Sequence, residues 1–359
     1  MKLRDSNFEL FRIVAMMGII AWHALWYSGL ATRAYADPWN WSNALLLVLG
    51  AWGKTGINCF VLITGYFMCQ RKLTIGRFLK VIGLTEFYAF LVLGLSVALG
   101  WQQFSWKGIG ETARLFISGI NESFVSSYIG LLALVPILNA GIARMSVKML
   151  TGVSGVLLLA FCVLPSIGVK ISLGEIPWFV TLYFIAALVR REELKNLPVG
   201  VRAIWKWGFG LVLVLVGAIA SMALGAGLNP RMPGRNMIYY WVFPDAKVLA
   251  FGVAFCAFVV FKKLQIESSK IINTIGGATF GIYLLHDGAL GTFRERFWEF
   301  LINSKNYGGG LILMRYVIAV SGVFCICAMI DIIRKQMLSI FRKCGALRTK
   351  HPTMKGENG

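Results

Sequence analysis

One acidic and two basic side chains lie inside the first apolar run of the chain, residues 8–27: Glu9, Arg12 and His23. Arg12 and His23 are eleven positions apart, close to three full turns of an α-helix, so their side chains leave the same face about 16 Å apart along the axis. Glu9 lies one turn before Arg12. A guanidinium binds anions, and a neutral imidazole accepts protons near pH 7.

Ionisable groups within a bilayer usually face a polar interior or a water-filled path. This helix face therefore predicts the wall of a passage, with Arg12 near one mouth and His23 near the other. A snorkelling arginine and a hydrogen-bonded interfacial histidine are the alternative interpretation.

Later apolar segments contribute more polar side chains. Lys54 and Asn58 lie one turn apart in residues 53–66, and a lysine within the apolar layer is by default a candidate functional residue. A helix that breaks at a glycine, with Lys54 reaching the interface, explains it equally well. His286 ends another apolar run at a predicted depth similar to that of His23. Asp287 follows directly, so on a regular helix its carboxylate cannot easily turn back to orient the His286 ring.

A compact basic patch follows the second apolar run and contains Arg71, Lys72, Arg77 and Lys80. Lipid phosphates are the ordinary partners of such a patch, at about 1 kcal/mol for each basic residue. A nucleotide-type phosphate ligand would use the same chemistry, with arginine favouring bidentate contacts. The composition of the patch does not separate these two interpretations.

The composition indicates which kind of scaffold must position these side chains. Of 359 residues, 57% are hydrophobic and only 14% are charged, which is typical of a polytopic membrane protein. The formal charge of +20 comes mostly from short basic clusters between apolar runs. That is the positive-inside pattern, and it argues against nucleic acid as a partner. The seven cysteines show no metal-ligand spacing, so we predict packing roles for them and no metal site.

The apolar runs predict an all-α membrane bundle of about ten transmembrane helices. The runs cover approximately residues 8–27, 43–68, 81–100, 125–140, 149–166, 177–189, 207–226, 241–261, 271–292 and 309–333. The basic clusters fall after every second run, which predicts that both termini are cytoplasmic. We expect one membrane domain over residues 1–340 and a disordered basic cytoplasmic tail over residues 341–359.

Several segments together resemble the integral-membrane acyltransferase family 3, particularly the bacterial surface-polysaccharide O-acyltransferases. The resemblance covers most of the chain and begins with the acidic residue, Arg12 and His23 of the first helix. The other matching segments are Phe60-Val-Leu-Ile-Thr-Gly-Tyr66, Tyr128-Ile-Gly-Leu with Pro136-Ile-Leu-Asn139, Trp178-Phe-Val-Thr-Leu-Tyr-Phe-Ile-Ala, and Phe280-Gly-Ile-Tyr-Leu-Leu-His-Asp287.

Three positions depart from the family pattern. Glu9 stands where many relatives have aspartate, and Thr64 replaces the usual serine while keeping a hydroxyl. Arg77-Phe-Leu-Lys80 stands where relatives often carry two arginines, and this departure weakens the assignment of a donor site.

The resemblance implies a multi-pass protein of the bacterial plasma membrane. It also implies acyl transfer from cytoplasmic acyl-CoA, often acetyl-CoA, to a carbohydrate hydroxyl at or beyond the outer face. The expected partners are acyl-CoA as co-substrate, a surface glycan, the lipid bilayer and polysaccharide-assembly proteins, with no permanently bound cofactor.

On this hypothesis the donor phosphates bind Arg71, Arg77 and Lys80, and Glu9 fixes Arg12. His23 acts as general base on the sugar hydroxyl, or forms a transient acyl-imidazole. A side chain from another helix must orient His23, because Glu9 is about 21 Å away along the helix. The candidates for that role, or for holding the oxyanion, are His286, Lys54 and Tyr66, with Asn58 as a further substrate contact.

Two other functions remain open from the sequence. A transporter or flippase would also carry polar residues through the bilayer. A membrane-bound O-acyltransferase of the other large family also uses an intramembrane histidine, but its pairing with an upstream asparagine is not seen here.

Overall fold

The computed structural model describes residues 5–118, 123–169, 171, 174–193, 201–231, 236–244, 246–287, 292–304 and 306–348, and every regular element in them is helical. The helices are α1 Ser6–Tyr27, α2 Leu30–Ala36, α3 Trp41–Leu49, α4 Gly53–Met68, α5 Ile75–Ala98, α6 Trp106–Thr112, α7 Leu115–Ser118, α8 Phe124–Arg144, α9 Val147–Leu158, α10 Leu164–Ser166, α11 Glu175–Glu193, α12 Val201–Leu228, α13 Val248–Lys263, α14 Lys270–Gly276, α15 Thr279–Asp287, α16 Thr292–Ile302 and α17 Gly309–Arg348. A 3₁₀ turn joins α3 to α4, and a π-helical stretch joins α9 to α10.

Seven helical segments within the described residues are long and apolar enough to cross a membrane. They are Ser6–Tyr27, Trp41–Met68, Ile75–Ala98, Phe124–Arg144, Val147–Ser166, Ile204–Arg231 and Gly309–Phe341. The three other predicted runs coincide with α11, α13 and the pair α14–α15, which are shorter or more polar. The all-helical membrane architecture is thus confirmed, whereas the count of ten spans and the cytoplasmic termini stay predictions.

The last helix extends beyond the predicted domain boundary. Residues 341–348 continue α17, although we expected a tail from residue 341 onwards. Residues 349–359 lie outside the described part of the chain, and their proposed disorder stays a prediction.

Helix α1 lies at the centre of the bundle, where it packs against α4, α13, α14, α15, α16 and α17. Many of its apolar side chains are buried, from Phe11 through Ile20 to Leu25, whereas Val14 is half exposed. A glycine lets α4 approach it closely, because a Cβ built on Gly56 would lie 2.6 Å from the carbonyl oxygen of Ala15. The helix that carries the predicted chemistry therefore packs against neighbouring helices over most of its surface.

The buried carboxylate of Asp331 fixes α17 against α5 and α15. The Asp331 side chain is 1% exposed and accepts hydrogen bonds from the Tyr88 hydroxyl at 2.7 Å and from Arg334 Nη2 at 2.6 Å. Lys335 Nζ lies 2.6 Å from the other carboxylate oxygen. Buried charges are retained when they are paired and hydrogen-bonded, as here. Gly281 of α15 lies directly over this carboxylate.

Gly281→Ala is expected to destabilise the bundle by about 1–3 kcal/mol, the usual range for overpacking. The added Cβ would lie 2.3 Å from Asp331 Oδ1, so α15 or the buried ion pair must shift. Thermal unfolding, monitored by size-exclusion chromatography after heating, gives the melting temperature of each variant. Gly94→Ala in α5 is the matched control, because a Cβ there meets no atom within 4 Å. Equal melting temperatures for the two variants would contradict the close packing.

Candidate functional site

The two intramembrane histidines meet at the end of α1 that is far from Arg12. His23 Nδ1 lies 3.0 Å from His286 Nε2, and His286 Nδ1 lies 2.7 Å from the carbonyl oxygen of Ile282. A carbonyl oxygen only accepts, so the neutral His286 ring carries its proton on Nδ1 and its Nε2 accepts from His23 Nδ1. This chain of hydrogen bonds leaves His23 Nε2 without a proton, as a general base requires.

A carboxylate that the sequence analysis set aside lies beside this pair. Asp287 Oδ1 is 3.7 Å from His23 Nδ1 and accepts a hydrogen bond from Arg294 Nη1 at 3.0 Å. The same Arg294 nitrogen donates to the Tyr27 hydroxyl at 3.0 Å, and the Tyr283 hydroxyl also bonds to Asp287. Adjacency on α15 keeps Asp287 from orienting the His286 ring, but its carboxylate lies beside Arg294 and the His23 ring of α1. An imidazolium formed on His23 would thus face a fixed negative charge.

The other end of α1 opens into a basic cavity of about 630 Å³. Arg12 donates to Glu9 Oε1 at 2.7 Å, as the one-turn spacing predicts. Four arginines are among the described lining residues: Arg12, Arg71, Arg77 and Arg190. Arg190 was not predicted. It ends α11 and donates to the Tyr66 hydroxyl at 2.6 Å. The double arginine at the end of a predicted span was its only signal in the sequence.

Two predicted site residues lie elsewhere. Tyr66 packs against Phe8 with ring centroids 5.2 Å apart, at the Arg12 end of α1, fifteen residues before His23. That is about 22 Å along the helix, so Tyr66 is not placed to orient His23 or to hold an oxyanion beside it. Lys80 lines a different cavity, together with Arg334 and Lys335, and is not among the described residues around the arginines. Both expectations are therefore corrected.

An aromatic layer separates the basic cavity from the histidines. We define it as Phe124, Tyr128 and Tyr283. The cavity reaches Tyr128, whose ring lies 5.6 Å from Phe124, and Phe124 lies 5.0 Å from Tyr283. Tyr283 in turn lies 6.1 Å from His23, which is not among the described residues lining the cavity. The rings of these three residues thus lie along the path from the basic cavity to His23.

Lys54 and Asn58 are held by residues at the start of α11. Lys54 Nζ lies 2.8 Å from Glu175 Oε1, a partner that the sequence analysis missed. Asn58 Oδ1 accepts a hydrogen bond from Trp178 Nε1 at 2.8 Å and is fully buried. Both contacts tie α4 to α11. Lys54 also lies close enough to His23 to act on it through its charge, whereas the hydrogen bond of Asn58 joins two helices.

Within the described residues, no group of three or more His, Cys, Asp and Glu side chains could hold a metal ion. The polar groups around α1 instead form an arginine-lined cavity at one end and a histidine pair beside a carboxylate at the other. Residues 5–332 match the model of a family described as an acyltransferase domain. The chain belongs to the acyltransferase 3 family. No curated protein and no solved structure matches it.

Three of the segments that resemble the acyltransferase 3 family meet at the junction of α4, α8 and α11. The Thr64 hydroxyl donates to the carbonyl of Phe60 at 2.9 Å and lies 3.1 Å from the Tyr128 hydroxyl. Asn139 donates to the carbonyl of Met68 at 2.9 Å and accepts from Tyr183 at 2.7 Å. These motif residues hold together the helices around the basic cavity. The family supports acyl transfer as the general function of this multi-pass membrane protein.

Proposed function

We propose that this acyltransferase moves an acetyl group from cytoplasmic acetyl-CoA to a hydroxyl of a cell-surface polysaccharide or its lipid-linked precursor in the bacterial plasma membrane. The observation that carries the proposal is that α1 has different polar groups at its two ends. One end presents Arg12 to a basic cavity, and the other presents the unprotonated Nε2 of His23. Acyl transfer between a phosphate-bearing donor and a hydroxyl needs both groups.

The basic cavity suits the phosphates of the donor. Arg71 and Arg77 are exposed at its mouth, whereas Arg12 is partly buried and fixed by Glu9. Arginine binds phosphate oxygens with paired, charge-assisted hydrogen bonds. The donor would enter with its diphosphate at the mouth and its thioester pointing inward along α1. The rings of the aromatic layer must then move for the thioester to reach His23.

At the other end, His23 Nε2 would take the proton of the acceptor hydroxyl while the hydroxyl oxygen attacks the thioester carbonyl. The C–S bond then breaks, and the departing thiolate of CoA takes the proton from the imidazolium to become the free thiol. Between these steps Asp287, fixed by Arg294, would stabilise the charged ring. A transient acyl-imidazole on the same nitrogen is the covalent variant.

The direct test uses the full-length protein in lipid nanodiscs with radiolabelled acetyl-CoA and surface glycan from cells that lack the protein. We expect free CoA to be released only when the glycan is present, and the label to appear on the glycan. Movement of unmodified glycan across proteoliposomes, without CoA release, would instead support the transporter.

The histidine pair gives a prediction about His286. His286→Leu removes the acceptor for His23 Nδ1–H and is expected to lower kcat about 5- to 150-fold, equivalent to losing about 1–3 kcal/mol of hydrogen bonding. The KM for acetyl-CoA should stay unchanged, because the donor cavity lies beyond the aromatic layer. His286→Gln keeps an acceptor oxygen and should restore much of the rate. Steady-state kinetics at several pH values measures both variants, and equal losses would show that the tautomer is not set by this bond.

A further inference from the structure

The second basic cavity, which contains Lys80, lies between α5, α15 and α17 and has a volume of about 740 Å³. Its described lining residues include three cations, Lys80, Arg334 and Lys335, and a single carboxylate, Asp331. The remaining wall is largely apolar, with Leu84, Phe87, Phe280 and Leu338. The cavity therefore combines an excess of positive charge with a largely apolar wall.

Asp331 does not neutralise the cavity. Its two oxygens are shared between Arg334 and Lys335, which both lie within 2.6 Å of it. One positive charge of that group is left over, and Lys80, which is exposed, adds a second. A ligand with one negative charge can be accommodated without unpairing the buried carboxylate.

The cavity lies at the same end of the bundle as the basic cavity around Arg12. Lys335 Nζ donates to the carbonyl oxygen of Gly277 at 2.6 Å. The preceding residue, Gly276, packs on Glu9, since a Cβ built there would lie 2.7 Å from Glu9 Oε2. The cations are thus at the level of Glu9, which the distribution of basic residues places at the cytoplasmic edge of the bilayer.

We propose that this cavity binds the headgroup of an anionic glycerophospholipid of the inner leaflet. Basic pockets between helices on the cytoplasmic side bind anionic lipid headgroups. Lys80, Arg334 and Lys335 contact the phosphodiester, and the acyl chains lie against Leu84, Phe87 and Leu338. The basic patch in the sequence had two interpretations, a nucleotide-type phosphate ligand and lipid phosphates. On this proposal each applies to different residues: Arg71 and Arg77 face the donor cavity, and Lys80 faces the lipid cavity.

Native mass spectrometry of the full-length protein titrated with phosphatidylglycerol or phosphatidylcholine tests this site. We expect phosphatidylglycerol to bind more tightly than phosphatidylcholine, and Lys80→Gln to weaken phosphatidylglycerol binding about fivefold. Lys148→Gln removes a charge from an exposed position at the start of α9 and should leave lipid binding unchanged. Lys80→Gln retains Asp331 and both of its cations, so the buried ion pairs stay intact.

A second variant changes shape rather than charge. Leu338→Trp fills the cavity from α17 and is also expected to reduce phosphatidylglycerol binding. An excess of acetyl-CoA should not displace the lipid. Equal binding of the two lipids, equal effects of Lys80→Gln and Lys148→Gln, or displacement by acetyl-CoA would each overturn the proposal, the last by showing that a free nucleotide phosphate occupies the site.

Discussion

His23→Ala is expected to lower the rate of glycan acetylation at least about 100-fold, because general acid–base catalysis contributes about 10²–10⁴ to the rate. Within the described part of the chain, the other histidine at this site is His286, and its Nε2 already accepts the His23 proton while its Nδ1 bonds to the Ile282 carbonyl. In the variant this Nε2 is released from His23, but it lies on the side of the former Nδ1 and away from the nitrogen that takes the acceptor proton, so it is not placed to act as the base. Label transfer in nanodiscs measures the loss.

A second variant separates lost chemistry from lost folding. His23→Asn keeps an N–H donor near the position of Nδ1 and removes the Nε2 base. We expect it to bind acetyl-CoA with the affinity of the wild type, to elute as a folded protein, and to be as inactive as His23→Ala. His351→Ala, at the third histidine of the sequence, should retain full activity. Acetylation at the wild-type rate in either His23 variant would remove this residue from the mechanism.

Arg77→Gln is expected to raise the KM for acetyl-CoA at least about tenfold with little change in kcat. A hydrogen bond to a charged group contributes about 1.5–3 kcal/mol, and 1.4 kcal/mol is a factor of ten. Arg77 is exposed at the mouth of the basic cavity, so its loss leaves no buried charge unpaired. Steady-state kinetics with varied acetyl-CoA measures the change. Added salt should raise the wild-type KM more than that of the variant.

Lys80→Gln gives the sharpest comparison, since Lys80 is one turn along the same helix and has the same charge. The sequence assigned both residues to the donor phosphates, whereas the structure predicts a change in KM for Arg77→Gln alone. Lys148→Gln is the control for a general loss of positive charge. Equal increases of KM for Arg77→Gln and Lys80→Gln would return Lys80 to the donor site.

The sequence alone determined the membrane-embedded helical architecture and the spacing of the polar side chains along α1. Long apolar runs allow little else, because a backbone within lipid must satisfy its own hydrogen bonds. The helical period then places Glu9, Arg12 and His23 on one face, since eleven residues make almost three turns. These conclusions depend on spacing along one continuous helix, so they needed no knowledge of its neighbours.

The tertiary structure decided which side chains surround that helix. His286 and Asp287 reach His23 from a helix more than 260 positions away in the chain. Their contact depends on how α1 and α15 pack, which local spacing does not specify. Arg77 and Lys80 differ by about 60° around α5, and two different neighbouring groups of helices form cavities on those two sides. Periodicity fixes the directions in which side chains leave a helix, but only packing determines what they meet.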